Sequence, residues 1–149
     1  MFTVIAINAF GIAGVAVSLF DFGVVQRRPL LNLDPVGVAT FALGLTVELS
    51  ARRALGKEFA ITVRTTAEQR LVQSGLYRFV RHPLYLGVIV LYFSAPIAWQ
   101  SAYGALVILP IIPFLLRRIS IEEEAMALRF GDEWMAYARR TRRLIPLIY

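Results

Sequence analysis

Residues 83–116 run for 34 positions without a charged side chain. A helix that crosses the ~30 Å hydrocarbon core of a bilayer needs about 20 residues, with ~17 as the short limit. The run is too long for one span and just long enough for two, and "WQSAYG" at 99–104 supplies a turn with interfacial aromatics between them. Residues 2–20 form a second uncharged run, and 35–54 a weaker one that contains Glu48. The pattern predicts an all-α integral membrane protein, a single membrane domain over 1–149. About four transmembrane helices are expected, near 2–24, 35–54, 83–98 and 102–118, followed by a cytoplasmic C-terminal helical segment near 119–140.

The charges orient this bundle. Arg27 and Arg28 lie in the first loop, and the 99–101 turn has no Lys or Arg. The other 14 of the 16 Lys and Arg residues lie in 52–82 and from Arg117 onward, two segments that a four-span bundle places on one side. That asymmetry is a positive-inside signal and predicts a multi-pass protein with both termini cytoplasmic. The amino-terminal run lacks a basic leader and precedes further spans, so it is expected to be a retained helix rather than a cleaved signal peptide. In a chain that is 58% hydrophobic, the net charge of +6 is read as topology and attraction to anionic membrane lipids, with no nucleic-acid partner. With no cysteine there is no disulfide, thiolate nucleophile or cysteine-held metal, and one histidine gives no histidine-rich metal site.

Three clusters are expected at the cytoplasmic end: Arg78, Arg81, His82 and Tyr85; then Arg118, Glu122 and Glu123; then Tyr137, Arg139 and Arg140. The hairpin of the last two spans brings the first two together. Tyr85 lies three residues past His82, and Glu122 four past Arg118, each pair on one helical face. Taken singly, these residues have plain readings. His82 caps a helix at the headgroups, Glu122 to Glu124 fill a solvated turn, and Arg139, Arg140, Arg142 and Arg143 anchor to headgroups. Tyr92, Trp99 and Tyr103 are read as belt residues, Glu124 as the exposed member of its run, and Glu48–Arg52 as an i,i+4 ion pair.

Taken together, the motifs resemble the isoprenylcysteine carboxyl methyltransferase and phospholipid methyltransferase superfamily, particularly its small bacterial members. The resemblance rests on Gly75-x-Tyr77-Arg78-x-x-Arg81-His82-Pro83-x-Tyr85-x-Gly87, on Arg118-x-x-x-Glu122-Glu123, and on Phe130-Gly131-x-x-Trp134-x-x-Tyr137-x-x-Arg140 to Pro146. "RRALGKEF" at 52–59 adds to it. Trp134 stands where many members have tyrosine. The resemblance implies S-adenosylmethionine as cofactor, bound at the cytoplasmic end of the last two spans. Its implied contacts are Tyr77, Arg81, His82, Pro83, Tyr85, Glu122, Glu123 and Tyr137. Glu123 and Arg140 become the implied catalytic residues, Arg140 holding the cofactor carboxylate or orienting an acidic acceptor. The acceptor is a lipophilic molecule, either an isoprenoid-type carboxylate or a lipid amine, and the setting is a bacterial inner membrane. An NADPH-dependent membrane reductase related to sterol reductases is the alternative, its relatives sharing a similar terminal region; a non-catalytic membrane protein is the third reading.

Overall fold

The first helix, α1 (Phe2–Phe20), has no charged residue to interrupt it and passes into a wider π-helical turn at Asp21–Val25. The computed structural model describes residues 2–29, 32–56 and 70–145. Residues 57–69, which include the end of "RRALGKEF", and Pro146 lie outside the described residues. Helix α2 (Pro35–Leu55) starts on strong local signals: Pro35 sits in its first turn and the Val36 N–H donates to the Asp34 carboxylate at 2.8 Å. Arg52 and Arg53 end it, where the helix dipole favours cations. Helix α3 (Pro83–Ala98) again begins on proline, and α4 (Ala102–Ile108) is capped by the Ser101 hydroxyl, which accepts from the Gly104 N–H at 3.0 Å. Pro110 marks the break to α5 (Ile111–Phe130), and α6 (Asp132–Arg140) closes the order.

Two of these runs are long and apolar enough to cross a membrane, Phe2–Val25 and Ala102–Phe130. Helix α3 is apolar but has 16 residues, and α2 has 21 with Glu48, Arg52 and Arg53 among them. The expected junction between a fourth span and a separate cytoplasmic helix at 118/119 falls inside α5. Nothing between Leu116 and Phe130 is a proline or glycine, so the helix continues past the change in hydropathy. Gly131, at φ +50°, is the first residue that lets it stop.

Helix α2 packs along α3, and α1 packs on α4, α5 and α3. The α2–α3 seam is close. A Cβ on Gly37 would stand 2.2 Å from the Ala98 backbone, and one on Gly87 would stand 2.8 Å from the Glu48 nitrogen. Ile7, Ile108, Ile111, Leu115 and Ile119 form the core between α1 and the α4–α5 helix, with Leu144 reaching in from the chain end. Large apolar side chains such as Phe2, Ile12, Val36, Phe41 and Leu43 point outward from α1 and α2.

Candidate active site

Residues 75–82 form an arm that enters α3. A short 3₁₀ turn at Gly75–Arg78 starts on Gly75, at φ +60°. The chain leaving α6 comes back along this arm. The Arg81 N–H donates to the Arg142 carbonyl at 2.7 Å, the His82 N–H to the Arg143 carbonyl at 3.1 Å, and the Arg142 N–H to the Phe79 carbonyl at 3.0 Å. Val80 and Arg142 make a parallel β-bridge. Helix α6 lies against the arm through Trp134 and Tyr137, both buried, and the Tyr137 hydroxyl donates to the Tyr77 carbonyl at 2.7 Å. Burial pushes the Tyr137 phenol up to about 12 against the lowering effect of the Arg81 and Arg140 charges, and burial also raises Tyr77. Both phenols are therefore neutral at physiological pH.

This folding brings two neighbouring carboxylates of α5 to the start of α3. Glu122 accepts from Tyr85 Oη at 2.5 Å and from Arg118 Nε at 2.7 Å. Glu123 accepts from Arg81 Nε at 2.8 Å and from Arg143 Nε at 2.8 Å. His82 lies between them, 8% exposed, with Nε2 3.3 Å from Glu123 and Nδ1 3.9 Å from Glu122. Its ring stacks on Tyr85 at a centroid distance of 5.8 Å. Arg81 also holds the end of α6, donating from Nη1 to the Ala138 and Thr141 carbonyls at 2.9 and 2.7 Å. Both carboxylates keep partial access to solvent, while Arg118 is 4% exposed. The donor set suits a zwitterionic or cationic ligand: carboxylates for positive groups, guanidinium groups for a negative one, and a ring pair to stack on a flat one.

His82, Tyr85, Arg81, Glu122 and Glu123 are thus brought together as the motifs led one to expect, and Glu124 is exposed. Pro83 is buried at the first position of α3, where it directs the helix rather than offering a polar group. Tyr77 and Tyr137 lie behind the cluster and fasten α6 to the arm. Arg140 is not brought to the carboxylates; its guanidinium donates to Gln73, whose amide donates to Glu133. Arg143, read from sequence as a headgroup anchor, is a second arginine on Glu123 beside Arg81. Its place depends on the returning chain, and the sequence signal for it was only its position between Arg140 and Pro146 of the third motif.

Beside this cluster lies an apolar cavity of about 370 Å³ lined by Val47, Leu76, Phe79, Val80, Pro83 and Leu86. It sits where α2, the arm and the start of α3 meet. Val80 and Pro83 flank Arg81 and His82 in the chain, so its wall and the charged cluster share one stretch of backbone. Glu48, in α2 beside Val47, makes the expected i,i+4 pair with Arg52 at 2.9 Å.

The model of the family described as phospholipid methyltransferase matches residues 34–133. Methanethiol S-methyltransferase 1 of Bradyrhizobium diazoefficiens is 38% identical over 48% of this chain and 24% of its own length. Protein-S-isoprenylcysteine O-methyltransferase B of Arabidopsis thaliana is 25% identical over 75% of this chain and 58% of its own. Delta(14)-sterol reductase of Mus musculus is 30% identical over 59% of this chain and 22% of its own. The solved eukaryotic intramembrane Ras methyltransferase ICMT (isoprenylcysteine carboxyl methyltransferase) shares the fold at a TM-score of 0.75 and 22% identity. It is covered over 51% of its chain by 95% of this one. The chain therefore spans between about a quarter and somewhat over half of the length of these proteins.

Proposed function

This chain belongs to the phospholipid methyltransferase family, and on that premise we propose that it is an integral membrane enzyme that methylates a lipophilic acceptor with S-adenosylmethionine. The observation that carries the reading is His82 held between Glu122 and Glu123, with an apolar cavity lined by Val80 and Pro83 of the same stretch of backbone. In this reading α1, α2, α3 and α4 with the first part of α5 cross the membrane, and both termini, the arm and α6 face the cytoplasm. The bilayer is a bacterial inner membrane. The 14 Lys and Arg residues of the arm side and the tail support that orientation.

When bound, S-adenosylmethionine supplies an activated methyl group on a sulfonium sulfur. Glu122 and Glu123 compensate the cofactor's positive charges, and Arg118 and Arg143 keep the two carboxylates aimed. Tyr85 and His82 offer a stacked wall, and Arg81 ties α6 down over it. The chain's main contribution is then to orient the reactants and exclude water. An acceptor that arrives as an anion needs no base. An acceptor that must lose a proton has the His82 imidazole at the cluster to receive it, with Nε2 3.3 Å from Glu123.

The reductase reading rests on the likeness to the sterol reductase. It asks for cations that receive phosphates, whereas Arg81, Arg118 and Arg143 each already hold a carboxylate. The test uses purified protein in nanodiscs with methyl-labelled S-adenosylmethionine and a bacterial lipid extract. Label in the organic phase, lost in Glu123→Gln, is the expected result. Consumption of NADPH with no label transferred would overturn the proposal.

A further inference from the structure

Glu122 and Glu123 are neighbours on α5, yet their oxygens are engaged differently. Glu123 is filled. Its Oε1 accepts from Arg81 Nε at 2.8 Å and faces His82 Nε2 at 3.3 Å, and its Oε2 meets Arg143 Nε and Nη2 at 2.8 and 2.7 Å. An ionised carboxylate offers about four lone-pair sites, so little of Glu123 is left for a ligand. Glu122 is half open. Tyr85 and Arg118 both donate to its Oε1. Among the described residues no hydrogen bond reaches its Oε2, which has His82 Nδ1 at 3.9 Å.

The partners that fill Glu123 lead away from the site. Arg81 Nη1 donates to the Ala138 and Thr141 carbonyls at the end of α6. Arg143 belongs to the chain that leaves α6, and its carbonyl accepts from the His82 N–H. One carboxylate of α5 thereby joins the arm, the end of α6 and the returning chain. Burial alone would raise the Glu123 carboxyl, but the bonds from His82, Arg81 and Arg143 hold it down at about 2. The joint is ionised throughout the physiological range, so protonation does not release it.

We propose that Glu123 is a positioning residue that acts through Arg81 and Arg143: it clamps α6 and the returning chain shut over the site, and the carboxylate left open to the ligand is Glu122. The identity of that ligand rests on the methyltransferase reading above; the clamp does not. The two roles differ in kinetics. A clamped cover slows entry and exit alike, because the ligand passes only while the cover is open. A direct contact slows exit alone.

The test is stopped-flow binding of S-adenosylmethionine to the full chain in nanodiscs, with amide exchange of α6 and of 141–145 followed on the same samples without ligand. Glu123→Gln is expected to speed exchange in both segments about tenfold, the scale of one lost charge-assisted hydrogen bond, and to leave α1 unchanged. It speeds association of S-adenosylmethionine as well as dissociation. Arg143→Gln breaks the clamp from the other side and does the same, and the double variant is no worse than either single one, because both remove one interaction. Arg143→Lys keeps part of the protection. Glu122→Gln speeds dissociation alone, with α6 exchange as in the wild type. Wild-type exchange in both Glu123→Gln and Arg143→Gln overturns the proposal. So does a Glu123→Gln chain that releases the ligand faster with its association rate unchanged, which makes Glu123 a direct contact, or a Glu122→Gln chain with wild-type dissociation. A wild type that does not bind S-adenosylmethionine, with the exchange pattern as expected, overturns the methyltransferase reading and upholds the clamp.

Discussion

The two ends of the helical bundle are both closed by polar contacts, and the contacts differ in kind. At the end formed by the 26–34 loop and the 99–101 turn, neutral amides do the linking. Gln100 donates to the Asp34 carboxylate at 3.0 Å and accepts from Arg28 at 2.7 Å, and Gln26 donates to Asp21 at 3.2 Å. The Gln100 bonds are exposed, where water competes for every partner and each is worth about 1 kcal/mol or less. At the other end, ionised groups meet partly out of water around Glu122, Glu123 and a buried Arg118 and His82. There, removal of one partner strands a charge, which costs far more than the pair itself gains. A network of that kind is costly to retain for fastening alone, and the opposite end of the bundle is fastened by a simpler clasp. The difference points to the charged end as the working end.

The comparison breaks most visibly at Arg118. Arg118→Ala leaves Glu122 without its main cation, and a broken buried pair costs about 3–5 kcal/mol. Because Glu122 keeps some solvent access, a loss near 3 kcal/mol is expected in thermal unfolding of the detergent-solubilised protein. A change of a few tenths would place this end in the same class as the other.

A finer cut separates Arg143 from Arg140. Arg143→Ala removes a charge-assisted pair on Glu123 and should weaken S-adenosylmethionine binding by about tenfold, from ~1.5 kcal/mol. Arg140→Ala, whose guanidinium reaches Gln73, should change it less than about threefold. Equal losses would mean that Arg140 also reaches the ligand. Smallest is Gln100→Ala at the clasp, expected to cost about 1 kcal/mol of stability and to leave ligand affinity unchanged.

Much of this was legible in the sequence wherever the spacing is local. His82 and Tyr85 share a helical face by an i,i+3 step, Arg118 and Glu122 by i,i+4, and Asp34-Pro35 announces the start of α2. The continuity of α5 across 118/119 was not, because the uncharged run ends at Leu116 while the helix, with no proline or glycine to stop it, runs on to Gly131. Arg143 was not, because it is placed by a parallel pairing between Val80 and Arg142, 62 positions apart, that no local pattern encodes. Arg81 meets Glu123 because the first two clusters come together, but its hold on the α6 carbonyls belongs to the same non-local return. The apolar cavity follows from how α2 lies on α3, a matter of helix rotation that hydropathy leaves open.

The central claim is that the Glu122–His82–Glu123 cluster binds S-adenosylmethionine, and calorimetry on the wild type, His82→Ala, Glu122→Gln and Glu123→Gln tests it most directly. Glu123→Gln keeps the shape and removes the charge, and loss of a charge-assisted bond is worth about 1.5–3 kcal/mol. The account predicts wild-type binding and an affinity about 10- to 100-fold lower in Glu123→Gln, with a loss in His82→Ala or Glu122→Gln as well. Unchanged affinity in all three folded variants, or no binding by the wild type, would contradict it.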